Sequence, residues 1–310
     1  KVLLTSTPLG YNHFWKFWND AEEDRNGFTS LHIPYHRVPG RDEKWAEEQK
    51  KVLGELKFNQ EVLCTFLGSS NTLINADTIR QLSAKTFSFT KNGLDIIEDP
   101  VKDNFYFISV DVSRGVGGDY SAFTVMDCTK HPFSIVAKYR DNNITPLLFP
   151  NIIYKVAKDY NNAHVLIEIN DIGQQVADIL YNEIEYENML WVGNDSRYGQ
   201  YLSSSGKSAN LGVRTTKQIK RIGCATLKSL VEEKKLLVFD SDIISEFSTF
   251  VEQRGSFQAD EGYHDDLVMT LVLFAWASND LLFKDMMNTN NRKALYDQKM
   301  VQIEEELTPF

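Results

Sequence analysis

Three apolar runs, Phe105 to Val112, Ser121 to Asp127 and Phe133 to Tyr139, follow one another before any convincing helix begins. They are rich in the β-branched and aromatic residues that favour strands, and their short connections favour antiparallel neighbours in one sheet. Beyond them the pattern alternates. A helix is expected from about Leu148 to Tyr160, a buried strand over Val165 to Ile169, a helix from about Gly173 to Asn182 and a short strand at Met189 to Val192. Further helices are expected from about Thr215 to Glu233 and Ser241 to Phe250, with Leu236 to Phe239 as a candidate strand between them. A last apolar helix runs from near His264 to Trp276. Strands first, then strands alternating with helices, is the order of a mixed α/β sheet.

Ahead of Asn104 the chain reads differently. Val2-Leu3-Leu4 looks like the end of a buried strand, so the domain it opens is read as truncated. Thr5-Ser6-Thr7-Pro8 and an aromatic helix carrying Phe14, Trp15, Phe17 and Trp18 follow, with Trp15 and Trp18 read as core. A charged helix spans about Arg41 to Leu56. Residues 72–103 mix short apolar and polar pieces, end at Asp99-Pro100, and read as a linker. A chain of 310 residues accommodates one main domain with a smaller appendage.

No apolar run approaches the roughly 18 residues of a membrane span, and no membrane partner is expected. Cys64, Cys128 and Cys224 are odd in number and far apart, which supports neither a disulfide framework nor a CxxC zinc site, and a reducing cytoplasm fits. The net charge of −10 opposes phosphate binding on average. Its distribution does not, because positive charge concentrates between Arg197 and Lys235 while acids gather in residues 20–61 and at Glu304-Glu305-Glu306.

The acids carry the chemistry. Asp111 closes the run Phe105 to Val110 and meets a glycine-rich turn, whereas Glu168 lies inside a second apolar strand, where an ionised carboxylate needs a partner or a metal. Asp265 and Asp266 open the last apolar helix, at the positive end of its dipole. Each has a plain alternative: Asp111 as a turn former, and Asp265 or Asp266 as a helix cap or dipole partner. Asp119 fits an accessory acid or a turn equally well. Together, carboxylates on two core strands and one helix start form an all-oxygen donor set suited to Mg²⁺ or Mn²⁺. Two such ions about 4 Å apart hydrolyse phosphodiesters without a protein nucleophile. If the strands of Asp111 and Glu168 are parallel neighbours, their carboxyl ends meet at one sheet edge.

Phe107-Ile108-Ser109-Val110-Asp111 with its glycine turn and Asp119-Tyr120, Val165 to Asn170 with Gly173, and Gly262-Tyr263-His264-Asp265-Asp266-Leu267 resemble the nuclease motifs of large terminase subunits of T-even-type tailed bacteriophages. Thr5-Ser6-Thr7-Pro8 is similar to that family's ATPase coupling motif, and Glu61 to Leu73 to the end of its ATPase domain. The resemblance implies an RNase H-like (RuvC/integrase-type) mixed five-stranded sheet flanked by helices, preceded by a truncated ATPase-domain remnant. The divisions it implies are 1–71 for the remnant, 72–103 for the linker, 104–285 for the nuclease domain and 286–310 for a charged tail. Asp111, Glu168 and Asp266 take the catalytic and metal-binding places, Asp266 ahead of Asp265. The implied activity is two-metal, Mg²⁺- or Mn²⁺-dependent cleavage of concatemeric double-stranded viral DNA during headful packaging. The implied partners are the portal protein, the small terminase subunit and the ATPase domain of the same protein. The implied location is the host cytoplasm, with transient docking on the prohead portal.

No ATPase activity is expected, since Ser205-Gly206-Lys207-Ser208 only imitates a phosphate-binding loop: Tyr201 stands at the first glycine position. The surrounding stretch, Asn194 to Asn210, reads as a mobile loop. Lys207, Arg214, Lys217, Lys220, Arg221 and Lys228 form a candidate DNA-binding face that touches phosphates without reading sequence, or else a solvated helix face. Tyr198 and Tyr201 are candidates for stacking on splayed bases. The competing functions are a junction resolvase, a non-catalytic DNA-gripping module of the packaging motor, and a portal-binding scaffold.

Overall fold

The computed structural model describes residues 2–8, 13–22, 24–66, 71–82, 84–85, 89–91, 93–196, 199–203, 206 and 208–290. Val2, Leu3 and Leu4 are exposed and pair with no strand among the described residues, so the expectation of a buried strand there is corrected. Helix α1 (His13–Glu22) sets half-buried Phe14 and Trp18 against Phe66, with ring centroids 6.2 and 6.1 Å away. Helix α2 (Glu43–Glu61) starts where the Asp42 carboxylate accepts from the Trp45 amide. It continues past the expected end at Leu56, across a kink where Gly54 takes φ 76°. Ala46, Phe58 and Val62 make a small core of their own.

Residues 72–103 are not a bare linker. Helix α3 (Ala76–Gln81) is capped by the Asn75 side chain, and strands β1 (Phe89–Lys91) and β2 (Leu94–Ile96) form a hairpin. β2 extends the main sheet, and Leu73, Ile74, Ile79 and Ile97 are buried in its core. Burial of these four apolar side chains ties the stretch to the domain more firmly than its mixed composition suggests.

The sheet continues with β3 (Tyr106–Asp111), β4 (Ser121–Asp127) and β5 (Phe133–Asp141), antiparallel as expected. Helix α4 (Phe149–Asp159) crosses over to β6 (His164–Ile167), which runs parallel to β3. Helix α5 (Gly173–Asp178) follows, extended by a π turn over Ile179–Glu183. The expected strand at Met189 to Val192 splits. Met189 bridges Val165 alone, while β7 (Trp191–Asp195) turns away into a separate sheet between β8 (Gly199–Ser203) and β9 (Ala209–Leu211). Much of the supposed mobile loop is therefore paired strand. Helix α6 (Lys217–Glu232), the short strand β10 (Leu236–Leu237) parallel to β5, helix α7 (Ser241–Thr249) and the hairpin β11 (Phe250–Gln253) with β12 (Ser256–Ala259) lead to α8 (Asp266–Ser278). A final helix, α9 (Leu281–Asn290), meets α8 at 83°, and among the described residues no single helix is long and apolar enough to cross a membrane. Among the described residues the main sheet has seven strands in the order β1-β2-β5-β4-β3-β6, with β10 on β5, rather than the expected five.

Period-two alternation sorts the sheet's two faces. Ile108, Val110, Phe123, Val125, Val165 and Ile167 face α4 and α5. Phe107, Ala122, Met126 and Leu166 face α6, α7 and α8. Helix α8 is buried from Asp266 through Ala277, which explains why its sequence is apolar all round. It lies close to α6 because Gly223 presents no side chain: a Cβ there would stand 2.4 Å from the Val272 carbonyl oxygen. A buried hydroxyl chain fixes it to the sheet, with Ser109 Oγ 3.2 Å from Thr124 Oγ1 and Thr124 Oγ1 2.9 Å from Thr270 Oγ1.

Candidate metal centre

The alternation that buries Phe107 and Leu166 beneath α8 carries two more residues to the same face, Asp111 and Glu168. β3 and β6 are parallel with Val110 opposite Ile167, so the next residue on each strand is a carboxylate. The Glu168 amide donates to the Val110 carbonyl at 2.9 Å, and Glu168 makes a parallel bridge with Val213 on its other side. Behind it, Gly173 leaves room for the Glu168 carbonyl, since a Cβ at that position would come within 1.9 Å of the oxygen. Burial, then the neighbouring Glu168, Asp266 and Asp265 carboxylates, push the Asp111 carboxyl well above the usual carboxylate range.

Asp266 closes the set from above. It is the first residue of α8 and accepts from the Tyr120 amide at 3.1 Å through Oδ1, while Oδ2 is buried with no hydrogen-bond partner. Burial pushes its carboxyl up to about 6, against the opposing pull of Arg140. Asp265 occupies the cap position but caps nothing. Its Oδ2 instead accepts from the Ala259 amide of β12 at 3.1 Å. Neither side chain caps the helix, while Asp266, in the first turn, keeps the dipole-partner role beside the metal-binding one. Asp119 is exposed, and its nearest recorded partner is His264 Nδ1 at 3.9 Å, which in turn stands 3.8 Å from Asp266 Oδ2.

Two groups behind Asp266 escaped the sequence reading. Glu246 on α7 is buried and accepts from the Val268 amide in the first turn of α8 at 2.9 Å. Arg140 on β5 lies 3.5 Å from Glu246 Oε1 and stacks 3.9 Å over the Tyr120 ring, whose own amide holds Asp266. A lone acid among Ile243, Ile244 and Phe247 was the available signal for Glu246.

Asp111, Asp119, Asp265 and Asp266 line a cleft of about 390 Å³ together with Arg114, Tyr120 and Asp171. Among the described residues, the tightest carboxylate group lies elsewhere: Asp95, Asp240 and Asp242 offer oxygens within 4.8 Å of one another. That place is already filled by a cation, because the buried Lys138 ammonium sits 2.8 Å from Asp240 and 3.5 Å from Asp95 and is also ion-paired with Asp242. An orphaned buried oxygen on Asp266 and an all-carboxylate donor set fit hard divalent cations.

Of the basic residues, Arg214, Lys217 and Arg221 are exposed at the start of α6, immediately after Val213, the residue that bridges Glu168. Lys220 is half-buried, its ammonium 5.6 Å over the Phe250 ring. Lys228 is on the same helix, further from Glu168. It lies three turns on, some 16 Å along the axis, paired with Glu232 at 3.9 Å. Lys207 and Tyr198 lie outside the described residues. Tyr201 belongs to β8 and packs against Gly193 of β7. Gly206, in the Walker-like stretch, rests on the Trp191 ring and leads into a strand, not into the helix that a phosphate-binding loop requires.

Residues 108–280, more than half of the chain, match the terminase RNase H-like domain. The chain belongs to this family. Among relatives of this terminase domain, the large terminase subunit of Thermus virus P23-45 is 24% identical over 293 residues, covering 88% of this chain and 54% of that protein. The chain therefore spans about half the length of the curated relative it matches. The crystal structure of the large terminase nuclease from thermophilic phage G20c with bound cobalt covers 67% of this chain and 97% of that one, at a TM-score of 0.51 and 20% identity. The same nuclease with bound magnesium gives 0.51 at 19% identity. These likenesses establish the RNase H-like fold of the terminase domain.

Proposed function

We propose that this terminase domain is a metal-dependent endonuclease that cleaves concatemeric double-stranded viral DNA during headful packaging. The observation that carries the reading is the meeting of Asp111, Glu168 and Asp266 at one edge of the sheet, from two strands and a helix. Asp111, Glu168 and Asp266 would hold two Mg²⁺ or Mn²⁺ ions, which when bound activate the attacking water and stabilise the leaving oxygen. The chain's own residues set the stage. The Tyr120 amide orients Asp266, Asp265 is held back by β12, and Arg214, Lys217 and Arg221 give the backbone of DNA a positive landing beside Glu168.

Residues 1–71 are read as the end of an ATPase domain of the same polypeptide, whereas the expected division at 285/286 is corrected, because it falls inside α9 (Leu281–Asn290), whose Met286 and Met287 pack against the main core. No nucleotide site is assigned to the residues present. The portal protein and small terminase subunit are the proposed partners, met in the host cytoplasm at the prohead. The spelling of the three acidic motifs supports a place near the T-even-type branch.

The test is conversion of supercoiled plasmid to nicked and linear DNA in Mg²⁺ or Mn²⁺, with Asp111→Asn, Glu168→Gln and Asp266→Asn alongside the parent. Cutting by the parent and at least a hundredfold loss in each folded variant is the expected result. A parent that binds DNA but leaves plasmid intact would replace this reading with the DNA-gripping one.

A further inference from the structure

Among the described residues that line the acidic cleft, Arg114 is the one cation, set against Asp111, Asp119, Asp171, Asp265 and Asp266. A phosphodiester approaching this cleft meets one sign of charge almost everywhere, so the exception matters. The backbone around Arg114 is fixed. The Ser113 amide donates to Ser121 Oγ at 3.1 Å, and the Gly117 amide donates to the Asn142 carbonyl at 2.9 Å. Gly115, at φ 67°, sits so close to the Ile144 carbonyl that a Cβ would come within 2.1 Å of the oxygen.

The head of the side chain is in a different situation. Its Nε donates to Asp171 Oδ2 at 2.8 Å and its Nη2 to Asp171 Oδ1 at 2.9 Å, across the mouth of the cleft. Both side chains remain largely in water, at 69% and 60% exposure. Because both groups stand in water, a competing anion can reach the guanidinium without displacing packed side chains. The two parallel donors that fit a carboxylate also fit two oxygens of a phosphate.

We propose that Arg114 is a ligand for a backbone phosphate of the DNA, and that Asp171 occupies its guanidinium until DNA enters. DNA and Asp171 compete for the same two N–H groups. The proposal rests on the reading of this cleft as a DNA-cutting site, and its test separates the two.

Binding of a fluorescein-labelled 30-base-pair duplex to the full 310-residue chain is followed by anisotropy in Ca²⁺ over a salt series. Thermal denaturation serves as the control for folding. Arg114→Gln is expected to weaken binding about tenfold and to lower the salt slope by about one. Arg114→Lys, which keeps the charge without the fork, recovers the slope but only part of the affinity. Asp171→Asn is expected to tighten binding, and the gain is lost in the Arg114→Gln/Asp171→Asn double variant. A mere brace between two loops predicts the opposite sign for Asp171→Asn. Weaker binding in that variant, or an unchanged affinity and slope in Arg114→Gln, overturns the proposal. A parent that shows these shifts yet never cuts plasmid leaves Arg114 in place and removes the nuclease reading alone.

Discussion

Replacing Asp266 with Asn removes a buried charge while keeping the oxygen that accepts from the Tyr120 amide. The parent carboxyl is 7% exposed, has one oxygen without a partner, and is pushed from 3.8 up to about 6. A carboxyl whose folded-state pKa is raised binds its proton more tightly in the folded chain than in the unfolded one. Protonation therefore stabilises the fold. That contribution is complete below 3.8 and is lost as the pH rises through about 6, leaving the metal-free protein at pH 8 with a buried charge that Arg140 offsets only in part. The span from 3.8 to about 6 corresponds to about 3 kcal/mol. Asp266→Asn is thus expected to be the more stable protein in EDTA at pH 8, by up to that amount, or on the order of 5 °C in Tm. The advantage should shrink as the pH is lowered towards 5. Millimolar Mg²⁺ reverses the order, because a bound cation supplies the missing counter-charge to the parent and little to the variant. Differential scanning fluorimetry at both pH values, with EDTA or Mg²⁺, reads all four conditions. A variant less stable than its parent in EDTA at pH 8, or equal stabilisation of both by Mg²⁺, would refute the reasoning.

Three further outcomes are expected. Lys138→Met strands Asp240, Asp242 and Asp95 without their ammonium and should cost about 3–5 kcal/mol in urea denaturation. Adding Asp240→Asn, which preserves the cap on α7, should recover a large part, and a cost under about 1 kcal/mol would contradict neutralisation by Lys138. Gly173→Ala drives a methyl group into the Glu168 carbonyl, so plasmid cleavage and Mg²⁺-induced stabilisation should fall more than tenfold while circular dichroism stays unchanged. Unchanged cleavage would free Glu168 from that contact. Glu246→Ala orphans the Val268 amide and should cost about 2–4 kcal/mol, whereas Glu246→Gln, which retains an acceptor, should stay closer to the parent in the same urea titration.

The strands that build the centre were legible because each obeys a strong local rule. β4 was bounded as observed, and β3 and β6 were located within a residue or two, since β-branched and aromatic runs of this length admit few other conformations. Glu168 was legible for an energetic reason: a charge inside an apolar strand has to be explained. The hairpins β1–β2 and β11–β12 were not, because strands of three or four residues owe their existence to partners and not to their own pattern. Nor was the β8-β7-β9 sheet, whose Gly-, Ser- and Tyr-rich composition is that of a loop until pairing decides otherwise. Pairings such as Lys138 with Asp240, or Arg140 with Glu246, join residues more than a hundred positions apart and leave no periodic trace.

The three carboxylates come from the end of β3, the residue after β6, and the start of α8. More than 150 residues separate Asp111 from Asp266. No hairpin, proteolytic fragment or nascent segment ending before α8 can assemble the set, because Asp266 reaches its place only when twelve consecutive residues of α8 are packed beneath α6 and α7. The centre works as a coincidence detector for folding. On the proposed reading, DNA scission would be withheld by topology from any form of the chain in which α8 is not packed.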